Sequence, residues 1–269
     1  MFVAARRLQC SGMTVLVWPD ADTACRVTGE LLKRTIHESV DQRGRAVLGL
    51  ATGSTPERVY AHLVERYQSG AVSFRDVTTY NLDEYYPISP LDPNSYRSYM
   101  HRNLFSRVDI APHRAHVLDG TVPEAFAAEH AAAFDRWIES DGGLDLQLLG
   151  IGRNGHIGFN EPSELTVAEA LRLPTRLVEL HPVTHSDAAR DFGGPDRVIP
   201  RALTMGVAPI LAARSIVLLA TGAHKAEAVA AALKGPMTAA LPASLLQSVA
   251  DKVTWVLDEP AARRVAGVT

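Results

Sequence analysis

Cysteine is nearly absent from this 269-residue chain, which holds only Cys10 and Cys25. Two cysteines cannot supply a metal site alone, and such sparse use fits a reducing compartment. A basic excess is also missing. Lys and Arg number 27 against 30 Asp and Glu, a net charge of −3, which argues against a nucleic-acid binder. No apolar run reaches the roughly 20 residues of a membrane span. Residues 1–12 hold Arg6 and Arg7 but no long apolar stretch, so they read as an N-terminal extension rather than a secretory signal. Met13 is an alternative start. Gly 19 and Pro 16 are an average share, which excludes collagen-like, linker and low-complexity classes. The expectation is a soluble, cytoplasmic protein with no membrane or nucleic-acid partner.

What the chain does have is core. An apolar fraction of 46% with 21% charged residues is that of a globular protein, and a chain of this size buries roughly three quarters of its extended surface. Short apolar, β-branched runs at residues 14–18, 46–50, 77–81, 144–150, 215–221 and 252–258 predict buried strands. Between them, Ala21, Cys25, Thr28, Leu32 and Ile36 keep a helical spacing, and 56–68, 124–138 and the alanine-rich 223–234 also read as helices. Such alternation predicts one domain over 1–269. Its expected architecture is a three-layer α/β/α sandwich on an open, mostly parallel sheet, with ligands at the carboxyl ends of the strands. Residues 162–200 break the rhythm. One short strand is expected over 175–181 and irregular chain elsewhere, either a lid or a peripheral decoration.

Four groups of residues carry chemical potential. LATGSTP at 50–56 leaves a strand and opens a helix, with Gly53 permitting close approach and Ser54 or Thr55 as cap. Free amides there favour phosphate, although a well-capped turn reads equally well. NLDEYY at 81–86 follows another strand. Alternation sends Asp83 and Glu84 to opposite sides, so one carboxylate faces a pocket as a general base, unless the stretch is a solvated acidic turn. GIGRNGHIGFNEP at 150–162 crowds glycines at a strand end and pairs His156 with Glu161, a base with an orienting carboxylate. It lacks the GxGxxG spacing of dinucleotide sites. Lys225 stands at the start of a helix, where a cation opposes the dipole and an anionic ligand removes the conflict. Arg190 lies in the irregular segment.

Taken together, these segments resemble the glucosamine-6-phosphate deaminase (isomerase) family over nearly the whole chain. The resemblance is carried by 49–56, LDEYY, SYRSYMHRNLF at 95–105, GHIGFNEP, ALTMG at 202–206 and 221–226, in this order. It implies a modified Rossmann-like fold and conversion of an amino-sugar 6-phosphate and water into fructose 6-phosphate and ammonia, without metal or organic cofactor. By the same resemblance Asp83 moves the proton from C2 to C1, and His156, supported by Glu161 and Asn154, opens the ring. Gly53, Ser54, Thr55, Arg190 and Lys225 would hold the phosphate. Asn154 stands where some members have Asp. Val178 replaces a cation of the site at which part of the family is activated, so that control is expected to be absent. The family includes hexamers and smaller forms, which leaves a homo-oligomer among the expected partners. The rivals are a 6-phosphogluconolactonase, which tends to carry Arg where Tyr85 stands, and a sugar-phosphate-sensing domain, which usually carries a DNA-binding module.

Overall fold

The computed structural model describes residues 6–265. Chain order gives strands β1 (Arg6–Cys10), β2 (Met13–Trp18), β3 (Ala46–Leu50), β4 (Val77–Asn81), β5 (Asp83–Tyr86), β6 (Ala115–His116), β7 (Leu146–Leu149), β8 (Arg176–Glu179), β9 (Arg201–Thr204), β10 (Ile216–Ala220) and β11 (Val253–Asp258). The helices are α1 (Ala21–Arg43), α2 (Ser54–Gln68), α3 (Tyr96–Asn103), α4 (Glu124–Ser140), α5 (Val167–Ala170), α6 (Pro182–Ala188), α7 (Val207–Ala212), α8 (Ala226–Lys234) and α9 (Glu259–Ala262). None of the described helices is long and apolar enough to cross a membrane.

Eight strands form one sheet in the order β1-β2-β11-β10-β7-β3-β4-β6. Only β1 runs antiparallel, on the β2 edge; β2 to β6 pair in parallel. Parallel strands must be covered on both faces, which is why β3, β4, β7 and β10 are buried along their whole length. The expected three-layer α/β architecture is what the chain adopts. Five residues of the N-terminal extension, 6–10, pair as the edge strand β1, and the first five lie outside the described residues.

Local chemistry sets the element ends. Asp20 caps α1 by accepting the Thr23 N–H, and Gly44 closes it at φ 71°, donating its own N–H to Val40. The predicted helix 223–234 is divided: a 3₁₀ turn, Ala223–Lys225, precedes α8.

Two expectations change. Residues 83–86 are not a solvated turn but the strand β5, which with β9 and β8 makes a second, antiparallel sheet in the order β5-β9-β8. Its partners lie far along the chain, so no local pattern announces it. Residues 162–200 are likewise less irregular than expected. They fold into α5, β8, α6 and a 3₁₀ turn, over a small apolar core of Tyr85, Ile88, Phe159, Ala188, Phe192, Val198 and Ala202.

Gly206, after β9, shows how tightly this region closes. A Cβ there would stand 2.1 Å from the Leu173 carbonyl oxygen and 2.3 Å from Pro174 backbone atoms. Backbone cannot move aside as a flexible side chain can. Gly206→Ala is expected to destabilise the fold by about 3 kcal/mol, read as a lowered denaturation midpoint with unchanged slope.

Candidate active site

Between β3 and β7 the winding of the sheet reverses. From β3 the chain builds outward to β4 and β6; from β7 it builds the other way to β10 and β11. A crevice opens at the carboxyl ends of strands beside such a point. Here it is a cleft of about 530 Å³, lined by the ends of β3, β7, β10 and β11, by β5, and by one side of α6.

One end of the cleft is built to take an anion. Gly53 is the N-cap of α2 at φ 118°, a conformation that favours glycine, and no side chain caps the helix. The sequence reading made Ser54 or Thr55 the cap; both instead lie inside the first turn, whose amides stay open. Thr55 Oγ1 is 3.2 Å from Thr221 Oγ1, tying this loop to the end of β10. Asp258 accepts the Gly222 N–H at both oxygens, at 3.0 and 2.9 Å, and so orients the turn carrying Lys225. Lys225 is half-buried and lines the cleft, and no carboxylate lies within ion-pair distance among the described residues. Burial lowers its pKa, with Asp187 opposing and Arg153 adding to the effect. A half-buried cation without a counterion beside a helix N-terminus is an unmet demand for an anion.

The other end holds acid–base groups. Asp83 opens β5, paired with Thr204 of β9. Strand alternation sends Asp83 and Tyr85 into the cleft and Glu84 away from it. Glu84 instead accepts the Ser95 hydroxyl and the N–H groups of Tyr96 and Arg97, anchoring the start of α3. Burial raises its pKa, and those donors oppose the rise. No protein donor reaches the Asp83 carboxyl among the described residues. Burial, with a smaller contribution from the Glu84 charge, pushes it up to about 8. A buried carboxyl without donors that faces a cleft is suited to carry a proton.

The glycine-rich loop, whose Gly158 approaches Asp83 closely, gathers three predicted residues. Glu161 Oε2 accepts from Asn154 Nδ2 at 2.9 Å and lies 3.3 Å from His156 Nδ1. Burial would raise the Glu161 carboxyl, but His156, Thr184 and Asn154 hold it down at about 2. It is therefore ionised and faces Nδ1, while Nε2 has no protein partner among the described residues. Gly152 makes room for the ring: a Cβ there would meet His156 Cε1 at 2.3 Å.

The structure thus brings Gly53, Ser54, Thr55, Lys225, Asp83 and His156 to one cleft, with Asn154 and Glu161 bonded behind the histidine. It does not bring Arg190. That side chain is exposed just after α6, whose Thr184, Asp187 and Ala188 line the cleft together with Asp191 beyond the helix, while Arg190 does not. The sequence reading missed Arg58, which lines the cleft one turn inside α2. Its position four residues after Ser54, on the same helix face, was the available signal.

Comparison with known proteins agrees with this geometry. Residues 19–255 match the family described as glucosamine-6-phosphate isomerases/6-phosphogluconolactonase. A glucosamine-6-phosphate deaminase of Rhodopirellula baltica is 46% identical over 245 residues, covering 91% of this chain and 92% of that protein. The solved structure of a monomeric glucosamine-6-phosphate deaminase superposes with a TM-score of 0.86 at 38% identity, over 93% of this chain and 99% of that one. A 6-phosphogluconolactonase from Trypanosoma brucei matches at TM-score 0.74 but only 20% identity, over 97% of this chain and 100% of that one, a likeness of fold alone. Fold, strand-end cleft and sequence converge, and the chain belongs to the glucosamine-6-phosphate isomerase/6-phosphogluconolactonase family.

Proposed function

We propose that the chain converts glucosamine 6-phosphate and water to fructose 6-phosphate and ammonia. The observation that carries this reading is the presence, in one cleft, of a donor-free buried carboxyl, Asp83, and a held imidazole, His156. An anion seat on the first turn of α2 completes the arrangement. The deaminase names of the relatives support it.

The phosphate docks on the amides at Gly53, Ser54 and Thr55, with Lys225 and Arg58 as cations, and fixes the sugar relative to the acid–base groups. Arg190 joins them only by a movement of the segment after α6. His156 Nε2 takes the proton from the C1 hydroxyl and returns it to the ring oxygen, opening the pyranose to the aldehyde; Glu161 and Asn154 hold the ring in place. The substrate's C2 ammonium lowers the Asp83 pKa and favours its ionised form. Asp83 then removes the C2 proton to give an enolamine. The same Asp83 delivers a proton to C1, which leaves an imine at C2. Water adds to C2 and ammonia departs.

A coupled assay that measures ammonia release decides between this and the rival readings. Glucosamine 6-phosphate or its C4 epimer, galactosamine 6-phosphate, is expected to give ammonia and fructose 6-phosphate or the corresponding ketose. Hydrolysis of 6-phosphogluconolactone with no ammonia from either amino sugar would support the lactonase. Binding with no turnover would support the sensor.

A further inference from the structure

Thr184 belongs to α6, not to the loop that carries His156, yet its hydroxyl lies 3.1 Å from His156 Nδ1. It is buried, at 5% exposure. The same ring nitrogen lies 3.3 Å from Glu161 Oε2, so the hydroxyl and the carboxylate both meet Nδ1. We propose that Thr184 is a positioning residue for His156: its hydroxyl shares Nδ1 with the Glu161 carboxylate, which holds Nε2 toward the sugar. The inference rests on the deaminase reading and adds to it a residue from a different element.

Three observations support the assignment. The Glu161 contact alone, at 3.3 Å, is long for a charge-assisted hydrogen bond. A second oxygen on the same nitrogen limits the rotation that one long contact permits. The ring rests on Gly152, which has no side chain to stop it sliding, whereas Thr184 meets it from α6. Finally, α6 is tied to the histidine loop. Arg153, in that loop, makes a bidentate pair with Asp187, one helical turn after Thr184, with Nε to Oδ2 at 2.9 Å and Nη2 to Oδ1. The His181 N–H adds a bond to Glu161 Oε1 at 3.4 Å. A β-branched threonine with a restricted χ1 suits a hydroxyl that must stay where it is placed.

Thr184→Val keeps the shape and removes the hydroxyl. The variant is expected to lose about 10- to 100-fold in kcat with KM within about twofold, a share of the roughly 10²- to 10⁴-fold that acid–base catalysis supplies. Thr184→Ser should restore most of the loss. On a His156→Gln background, Thr184→Val should cost nothing further, because it acts only through the imidazole. The ring N–H resonance of His156 should move in Thr184→Val and return in Thr184→Ser. Full kcat in Thr184→Val, a loss that multiplies with that of His156→Gln, or an unmoved resonance would each overturn the proposal. Should the native chain release no ammonia, the deaminase reading fails, and the resonance still decides the role of Thr184.

Discussion

Asp83→Asn is expected to lower kcat by roughly 10³- to 10⁴-fold, near the upper end for loss of a general base, and to leave KM within a few-fold. The amide is isosteric and reaches the same place, so binding through the phosphate seat is kept while the proton carrier is lost. Exchange of the C2 hydrogen with solvent should vanish with turnover, since one carboxyl both removes that proton and delivers a proton to C1. A variant that kept exchange but lost ammonia release would put the base elsewhere.

The same substitution has a second, opposite consequence. In the empty cleft the Asp83 pKa is about 8, above its ordinary 3.8, because burial disfavours the charge. The native state therefore binds this proton more tightly than the unfolded chain does. Stability falls as pH rises between those two values, the reverse of a salt-bridged carboxylate. Asn carries no such charge. Asp83→Asn should match the native protein below pH 4 and exceed it by a growing margin above, with the gap levelling off near pH 8. Activity runs the other way: the base works ionised, so kcat/KM of the native enzyme should climb with pH over the window in which Asp83 loses its proton. Thermal melts and initial rates across pH 4–9 read both trends.

Elements formed by local pattern were plain in the sequence, and those formed by distant partners were not. The runs at 46–50 and 77–81 are strands with those same ends, because β-branched, buried stretches need no information from elsewhere. By contrast β5 and β9 exist only because they find each other, and at 83–86 the local pattern leaves a solvated turn as open as a strand. The chemistry of Asp83 and Glu84 was nevertheless foreseen, since alternation separates neighbours whether or not the sheet is known. His156, Glu161 and Asn154 were found because they share one loop. Thr184 and Arg58 were missed because their relevance depends on where α6 and the first turn of α2 meet the cleft. Arg190 shows the converse, a residue chosen by resemblance that lies exposed beyond the end of α6 and off the cleft in this structure.

Lys225→Ala is expected to raise KM for the phosphorylated sugar by about 10- to 100-fold, the loss of one charge-assisted contact worth about 1.5–3 kcal/mol. The change in kcat should be smaller, because Lys225 serves the phosphate rather than the reacting carbons. Two controls separate phosphate binding from general damage. A sugar without phosphate should show no difference between the variant and the native protein, and competition by inorganic phosphate should weaken in parallel with KM. Stability should hold or rise, since the lysine is half-buried without a partner and its removal ends a repulsion from the start of α8. That combination distinguishes a ligand-binding cation from a structural one, whose loss lowers the melting temperature and leaves phosphate competition intact. An unchanged KM would move the phosphate to Arg58 and the α2 amides alone, and with it the distance over which the sugar must reach Asp83.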